Sequence, residues 1–302
     1  MTQLLVTLGL YLMAVLPGEH QIFCFSSETE ELDFDMAPDS FDDQYEGCAE
    51  EMEARMKDLR PAEIDNITEY AEAWQKAVLK WKEMKGSISV PAGLKDDYAI
   101  ALLAYTLETD LFKDFNKAVR KAASSKVAYL KTFHFKAMHF LLTRAVQVLH
   151  NNSKSRCSSV DCRVRDVFRG VRYIHFRAKR SSEARFGQFA SSSLNWEIAQ
   201  GFGTDTFFII ETCHGAFIDK FSFFPHEEEV LIPPFEKFRV DNFTEKPEGN
   251  TITLSSTGKY SVYNCVLVKG AGLSRFSATA QMPLLLWGFL LIAGAVGAPG
   301  LL

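Results

Sequence analysis

The acidic stretch between Phe221 and Pro234 contains the residues best suited to chemistry. Glu227, Glu228 and Glu229 stand here between an aromatic run and an aliphatic run. Side chains alternate between two faces along an extended chain, so a strand over 227–232 would project Glu227 and Glu229 to the same side, about 7 Å apart. One carboxylate of such a pair can stabilise a developing cation while the other holds a basic group. The alternative is a solvated acidic turn beside a sheet edge, because runs of charge usually lie on surfaces.

The composition predicts a folded protein that does not bind nucleic acid. The chain has 302 residues, of which 47% are hydrophobic and 13% aromatic, enough for a packed core. The net charge is −5, and no cluster of lysine and arginine stands out. The glycine-rich motifs of Rossmann and P-loop nucleotide sites are absent from the sequence.

Hydrophobic periodicity divides the chain into a helical half and a strand-rich half. An acidic segment over 26–47 is predicted to be extended or turning, and the region from Cys48 to His150 has helical spacing. Helices are predicted at 62–85, 96–106, 112–123 and 126–150. His134 and His139 lie among the aromatic residues of the last helix. Neither has a cysteine or carboxylate partner at ligand spacing, so we interpret both as hydrogen-bonded core residues and predict no metal site.

The second half contains short β-branched or aromatic runs separated by glycine, proline or asparagine. A polar loop over 151–162 precedes them. Because helices come first and strands follow, the order predicts an α+β fold rather than alternating βαβ units. One short helix is predicted at 194–200, and strands are predicted at 163–169, 173–176, 185–190, 206–212, 216–224, 230–238, 251–254 and 261–269.

Both ends of the chain carry apolar signals. The run over 4–16, followed by Pro17-Gly18, predicts a signal peptide over 1–22. At the other end, 283–302 has no charged residue and follows a group of small residues, a pattern typical of a glycosylphosphatidylinositol (GPI) anchor signal over 270–302, which is removed. A transmembrane helix is the alternative. Three glycosylation sequons, beginning at Asn66, Asn151 and Asn242, also fit an exported protein.

Six cysteines in an exported chain predict disulfides. Cys48 opens the globular part and Cys265 closes it, so a bridge between them would join its two ends. Cys213 needs Cys157 or Cys162 as its partner, and we favour Cys162. Cys24 lies close to the predicted cleavage point.

Three motifs in a fixed order carry a resemblance to a known family. They are the Phe168-Arg169-Gly170 segment, the serine run that begins at Ser191, and the 227–232 stretch. Together they resemble the arginine, serine and Glu-x-Glu signature of the mono-ADP-ribosyltransferases, and most of all the vertebrate GPI-anchored ecto-enzymes that modify arginine. The resemblance extends over most of the chain, to segments 40–45, 101–105, 205–208 and 263–265. It implies a helical part over 23–150 and a mainly antiparallel catalytic core with an NAD cleft over 151–269.

The resemblance implies a role for four residues in binding the co-substrate NAD. Arg169 would bind the NAD diphosphate, since a guanidinium fork matches paired phosphate oxygens. Gly170 would let the backbone approach the nicotinamide carboxamide. Ser191 would position the catalytic carboxylate, while Ser193 is a candidate N-cap of the following helix. Phe202 would stack on the nicotinamide ring, unless it is a core residue.

The same resemblance assigns Glu229 as the catalytic carboxylate and Glu227 as the residue that holds the target arginine. Cleavage of the nicotinamide–ribose bond creates an oxocarbenium-like centre, which a carboxylate on the ribose 2′-hydroxyl would stabilise. Glu228 would point away and be structural. Neither a metal nor a covalent enzyme intermediate is needed.

The implied function is transfer of ADP-ribose from NAD to arginine on extracellular or cell-surface proteins. The enzyme would act at the outer face of the membrane through its lipid anchor, or alternatively be secreted or lie in the secretory pathway. Three other functions stay open. They are an NAD glycohydrolase, an inactive surface antigen of the same fold, and a receptor domain with an unrelated ligand.

Overall fold

The structure is a computed structural model that describes residues 29–154 and 166–269. The predicted signal peptide, the predicted anchor signal, Cys24, Cys157 and Cys162 lie outside these residues. Within the described ranges, no helix has both the length and the apolar character needed to cross a membrane.

The first half is helical, as predicted, but two of its predicted helices are each divided in two. Ile67 has an extended backbone and separates the helix before it from the helix after it, within the predicted 62–85 span. A three-residue break at 133–135 likewise interrupts the predicted 126–150 helix. The predicted 96–106 helix is confirmed. The helices are α1 Ala49–Asn66, α2 Thr68–Met84, α3 Asp96–Thr106, α4 Leu111–Val119, α5 Lys126–Thr132, α6 Lys136–Lys154, α7 Trp196–Gly201 and α8 Val266–Lys269.

Strands dominate the second half, and one short strand precedes the helices. They are β1 Glu30–Asp33, β2 Val167–Val171, β3 Ile174–Arg177, β4 Glu183–Ala184, β5 Ala190–Ser193, β6 Thr206–Glu211, β7 Ala216–Phe217, β8 Glu229–Ile232, β9 Glu236–Thr244 and β10 Asn250–Lys259. Eight of them form one sheet in the order β4-β9-β10-β6-β2-β5-β8-β7. All neighbours in it are antiparallel except β6 and β10, while β1 and β3 form a separate parallel pair. The predicted α+β fold with a mainly antiparallel sheet is confirmed.

Several predicted strands are wrong in extent. The predicted 216–224 strand ends at Phe217 and gives way to 3₁₀ turns. Residues 185–189 of the predicted 185–190 strand form the connection between β4 and β5, and only Ala190 is in a strand. The predicted 230–238 strand is split at Pro233-Pro234, because proline cannot donate to the ladder of hydrogen bonds. The predicted 261–269 strand is an irregular segment that ends in α8.

The helical half and the sheet share one hydrophobic core. The cluster that contains Phe115 and Phe140 of the helices also includes Phe189, Phe221 and Leu231 from the strand-rich half. A second cluster lies within the strand-rich half and includes Val167, Phe208, Val230, Ile232, Phe238 and Leu254. The sheet therefore packs against the helices through the region of β5 and β8.

The two histidines differ from each other. His139 is fully buried, and its ring nitrogens bond the Tyr45 hydroxyl at 2.8 Å and the Phe41 carbonyl at 3.2 Å, which confirms the core interpretation. Burial lowers the pKa of His139 to about 3, so the ring is neutral. His134 is exposed, so the core interpretation is wrong for that residue.

Residues near both ends of the described chain are joined in one place. The predicted Cys48–Cys265 disulfide is present and spans 217 residues. Beside it, the Asp43 carboxylate accepts hydrogen bonds from the backbone of Cys265 at 2.9 Å and Val266 at 3.1 Å. Cys213 forms no disulfide within the described residues, and its predicted partner Cys162 lies outside them.

Candidate active site

A cleft of about 490 Å³ lies where β2, β5 and β8 meet the end of α3 and the loop that follows it. The cleft brings together all six residues that the sequence analysis singled out, namely Arg169, Gly170, Ser191, Phe202, Glu227 and Glu229. Tyr105, Glu108, Lys113, Asn116, Arg120, Arg172 and Phe224 also line it.

Strand order explains why residues distant in sequence meet here. β5 lies between β2 and β8, so the serine run is next to both the arginine strand and the glutamate strand. Ser193 stands opposite Glu229 in the ladder. The Arg169 Nη1 donates to the Ser191 carbonyl oxygen at 2.6 Å, which fixes the guanidinium at the edge of β5.

Glu229 is the buried carboxyl group of the cleft. The pKa of Glu229 is raised to about 7, chiefly by burial and in addition by the negative charge of Glu227. A hydrogen bond from the Ser191 side chain and the positive charge of Arg169 both oppose that rise in pKa. A carboxyl group with this balance changes its protonation state near neutral pH, which is a property of catalytic groups.

Glu227 reaches the cleft by a different route from the one predicted. The 227–232 strand is wrong at its start, because Pro225–Glu227 is a 3₁₀ turn and β8 begins only at Glu229. Between them Glu228 has left-handed backbone angles, with φ 48° and ψ 45°. This residue reverses the local path of the chain, so Glu227 and Glu229 line one cleft without the alternation of a strand. Glu228 itself is exposed.

The serine run holds the turn in place. The Ser193 hydroxyl donates to the Glu227 carbonyl oxygen at 2.7 Å, and the Leu194 amide donates to the Glu228 carbonyl oxygen at 3.2 Å. Glu227 is partly buried, and its pKa is raised by that burial and by the charge of Glu108, while His226 opposes the rise. The left-handed turn is therefore anchored on both of its flanking carbonyl groups.

The cleft is lined by two sets of charged side chains, one cationic and one acidic. Burial lowers the pKa of Arg169, and the nearby Arg120 also lowers it because like charges repel. Both guanidinium groups line the same cavity as Glu227 and Glu229. Such a lining suits a ligand that carries both phosphate groups and a positive charge.

A family model described as NAD:arginine ADP-ribosyltransferase matches residues 34–262. The chain belongs to this family. An erythroblast NAD(P)(+)–arginine ADP-ribosyltransferase of Gallus gallus is 47% identical over 240 residues, which cover 80% of this chain and 77% of that protein. The GPI-linked NAD(P)(+)–arginine ADP-ribosyltransferase 1 of Homo sapiens is 42% identical over 330 residues, covering 100% of this chain and 98% of that protein.

A solved structure in this family has the same fold. The eucaryotic mono-ADP-ribosyltransferase ART2.2 superposes with a TM-score of 0.67 at 38% identity, covering 78% of this chain and 99% of that one. Variants of ART2.2 have been solved in complex with NADH and with NAD.

In this ADP-ribosyltransferase family member, Gly170 meets a steric requirement within the protein. A Cβ atom added at residue 170 would overlap the backbone carbonyl oxygens of Ala199 and Gly203, at the end of α7. Packing of α7 on β2 therefore requires glycine at this position. The predicted approach to the nicotinamide carboxamide is a separate role that stays a prediction.

Phe202 lies at the C-terminal end of α7 and is 55% exposed, so the core alternative is wrong. Its ring is available to a ligand in the cleft. The N-cap of α7 is Asn195, whose side-chain oxygen accepts from the backbone of Glu197 at 2.9 Å and Ile198 at 3.3 Å. The prediction that Ser193 caps this helix is therefore wrong.

The helical half also contributes to this transferase cleft, which the sequence motifs did not indicate. The Tyr105 hydroxyl accepts from the Asn116 amide at 3.0 Å and donates to the Phe189 carbonyl at 3.1 Å, which ties α3 and α4 to the start of β5. Burial raises the pKa of Tyr105, so its hydroxyl stays protonated. The available signal was a tyrosine and an asparagine on helix faces that are otherwise apolar.

Proposed function

We propose that this chain is an NAD⁺–protein-arginine mono-ADP-ribosyltransferase that releases nicotinamide. The observation that carries the proposal is the placement of Glu229, a buried carboxyl group with a pKa of about 7, in one cleft with Arg169 and Glu227. The bond between the nicotinamide nitrogen and ribose C1′ breaks, and nicotinamide leaves with the electron pair. A guanidinium nitrogen of the acceptor then bonds to C1′ and loses a proton.

The cationic side chains of the cleft bind the nucleotide in this proposal. Arg169 pairs with the diphosphate, and its hydrogen bond to the Ser191 carbonyl holds the fork in position. The exposed ring of Phe202 stacks on nicotinamide. The backbone at Gly170 lies beside the carboxamide of the same ring.

The acidic side chains of the cleft perform the transfer. As a carboxylate, Glu229 accepts a hydrogen bond from the ribose 2′-hydroxyl and stabilises the positive charge that develops on the ribose. Ser191 keeps more of Glu229 in this charged form, since its hydrogen bond lowers the pKa. Glu227 holds the guanidinium of the acceptor, and support for this role comes from its partial exposure at the same cleft.

We infer that the enzyme acts on arginine-containing proteins at the outer face of the cell membrane, through a GPI anchor. The support comes from the apolar C-terminal segment and from the name of the GPI-linked human relative. The side chains of Asn66, Asn151 and Asn242 are all exposed, as glycosylation would require. Release of the protein from intact cells by a phosphoinositide-specific phospholipase tests the anchor, and retention on the cells would contradict it.

Transfer of label from NAD to agmatine, a small guanidinium acceptor, tests the function. The full chain should form labelled ADP-ribosylagmatine, and Glu227→Gln should lose most of this product while it still releases nicotinamide. Glu229→Gln should lower both rates by about 100-fold or more. Free ADP-ribose as the sole product of the unmodified chain would indicate a glycohydrolase, and an unchanged rate in Glu229→Gln would indicate an inactive fold.

A further inference from the structure

The loop between α3 and α4 contributes a third carboxylate to the cleft. Thr106, Leu107 and Glu108 line the cavity together with Glu227 and Glu229. Asp110, two residues later, lies outside the cavity lining and is paired with Lys113 at 3.0 Å. Glu108 is exposed, and within the described ranges it takes part in no ion pair.

A hydrogen bond fixes the end of α3, where this loop begins, against the segment that leads to Glu227. The Thr106 hydroxyl oxygen accepts from the Phe223 amide at 3.2 Å, and the same hydroxyl donates to the Leu103 carbonyl at 3.1 Å in the last turn of α3. Beyond Phe223, the Glu227 amide donates to the Phe224 carbonyl at 3.0 Å. Glu108 and Glu227 therefore follow two segments that are joined by the hydrogen bond between Thr106 and Phe223.

The two carboxylates are close enough to affect each other. The charge of Glu108 raises the pKa of Glu227, as expected for like charges that face a shared space. A cation between them would remove this repulsion. Glu108 is poorly suited to the nucleotide itself, because its charge would repel the phosphate groups that Arg169 is proposed to bind.

We propose that Glu108 is a second recognition residue for the positively charged acceptor and shares the guanidinium group with Glu227. A guanidinium is planar and has five N–H donors, so two carboxylates can bind it along different edges. This inference rests on the proposed transferase function and adds a specificity-determining residue from the helical half. The ligand class is a side chain or small molecule with a guanidinium group.

Steady-state kinetics of Glu108→Gln with agmatine and NAD test the inference. The KM for agmatine should rise about fivefold, the size expected for one exposed ion pair. The rise should shrink as salt is added, because exposed charge pairs are screened. Hydrolysis of NAD without acceptor should not fall and the KM for NAD should not rise, and Glu108→Asp should restore part of the lost affinity for agmatine.

Asp114→Asn is the matched control, since it removes one exposed carboxylate from the nearby first turn of α4, outside the cavity and, within the described ranges, outside any ion pair. It should leave the KM for agmatine unchanged. An unchanged KM for agmatine in Glu108→Gln overturns the inference, and so does an equal rise in the KM values for agmatine and NAD. If the unmodified chain forms no ADP-ribosylagmatine, the proposed function fails first and this inference falls with it.

Discussion

At the scale of single residues, the proposed chemistry depends on how the Glu229 carboxyl group is held. The apolar surroundings of Glu229 favour its neutral form, whereas Ser191 and Arg169 favour the carboxylate. A positively charged nicotinamide ring nearby would also favour the carboxylate. The pKa of about 7 is the net result of these opposing effects.

The pH dependence of the reaction follows from this balance. We expect kcat/KM to fall about tenfold per pH unit below about pH 7, since only the carboxylate can stabilise the ribose cation. Because the Ser191 hydroxyl lowers the pKa of Glu229, Ser191→Ala should move this acidic limb to higher pH. The measurement is a pH profile of NAD hydrolysis and of transfer to agmatine.

Ser192→Ala provides the control for that profile. The Ser192 hydroxyl donates to the Val230 carbonyl at 2.8 Å, and this residue is the immediate neighbour of Ser191 in the same strand. Its loss should lower stability without moving the acidic limb. Equal shifts in the two variants would contradict the assigned role of Ser191.

The buried carboxyl group should also reduce stability at high pH. The folded-state pKa of Glu229, about 7, lies above its ordinary value, so the fold favours the protonated form and loses that contribution as pH rises through 7. The stability of Glu229→Gln relative to the unmodified protein should therefore increase with pH. From about pH 5 to about pH 8.5, this difference in the free energy of unfolding should grow by up to about 3 kcal/mol. Urea unfolding at both pH values measures the difference, and a gain that does not grow with pH would contradict the prediction.

All six predicted site residues line the cleft, and five of them could be found because they belong to the three motifs of the sequence, with Phe202 as the exception. Glu108 and Arg120 could not be found in the same way. An exposed charge in a loop or at a helix end has no periodicity, and most such charges are simply solvated. Only the packing of α3 and α4 against the sheet, which brings Glu108 and Arg120 to the cleft, distinguishes these two residues from ordinary surface charges.

At the scale of secondary-structure elements, the close packing of α7 on β2 positions one wall of the cleft. The end of α7 carries Phe202, and its backbone carbonyl oxygens approach Gly170 directly. Any side chain at 170 would push α7 outward and move the aromatic ring with it. The position of this short helix therefore depends on the absence of a side chain at Gly170.

Gly170→Ala should destabilise the protein by about 1–3 kcal/mol or more, since the added Cβ meets backbone atoms that cannot rotate away. The KM for NAD should rise as well, because α7 carries Phe202. Thermal unfolding and NAD kinetics measure the two effects.

Gly201→Ala is the matched substitution in the same region. A Cβ atom at residue 201 would meet nothing within 4 Å, and alanine is the better helix former. This variant should be neutral or more stable by up to about 1 kcal/mol. Similar losses in both glycine variants would show that the packing against β2 is not the cause.

Element boundaries were the least predictable part of the sequence. The predicted helix over 62–85 missed the break at Ile67, because apolar spacing continues across it. The predicted strand from Glu227 failed for a related reason, since three successive glutamates give no sign that the middle one is left-handed. Sequence periodicity reports which side of an element is buried and says little about a single unusual torsion.

At the scale of the whole molecule, the two ends of the described chain are tied together. The Cys48–Cys265 disulfide lies beside a buried ion pair between Asp42 and Arg185, whose Nη1 lies 2.6 Å from the Asp42 Oδ2. The Asp42 carboxylate also accepts from the backbone of Val262. These contacts join the segment before α1 to the segment after β10.

The double variant Cys48→Ala/Cys265→Ala should lose about 5 kcal/mol of stability, because the bridge closes a loop of 217 residues. Thermal unfolding should show a marked fall in Tm. Dithiothreitol should lower the Tm of the unmodified protein by at least a similar amount, and by clearly more than it lowers the Tm of the double variant. Equal falls in Tm of the two proteins on reduction would show that the Cys48–Cys265 bridge is not the source of this stability.

The sequence predicted the division into helices and strands, the Cys48–Cys265 bridge and the fold class. It could not predict the strand order, in which β10 lies beside β6 in parallel while β2 lies on the other side of β6. Strand order depends on contacts between residues far apart in the chain, which local patterns do not encode. The shared core of Phe189, Phe221 and Leu231 with the helices is a contact of this kind.

The left-handed residue Glu228 separates two parts of the protein that can change independently. Glu229 is fixed by the ladder of β8, whereas the preceding turn is attached mainly through hydrogen bonds to its carbonyl groups. A replacement loop of different length could be grafted before residue 228 while the Glu229 carboxyl group keeps its place in β8. An engineer could use this junction to redirect such an enzyme to new targets.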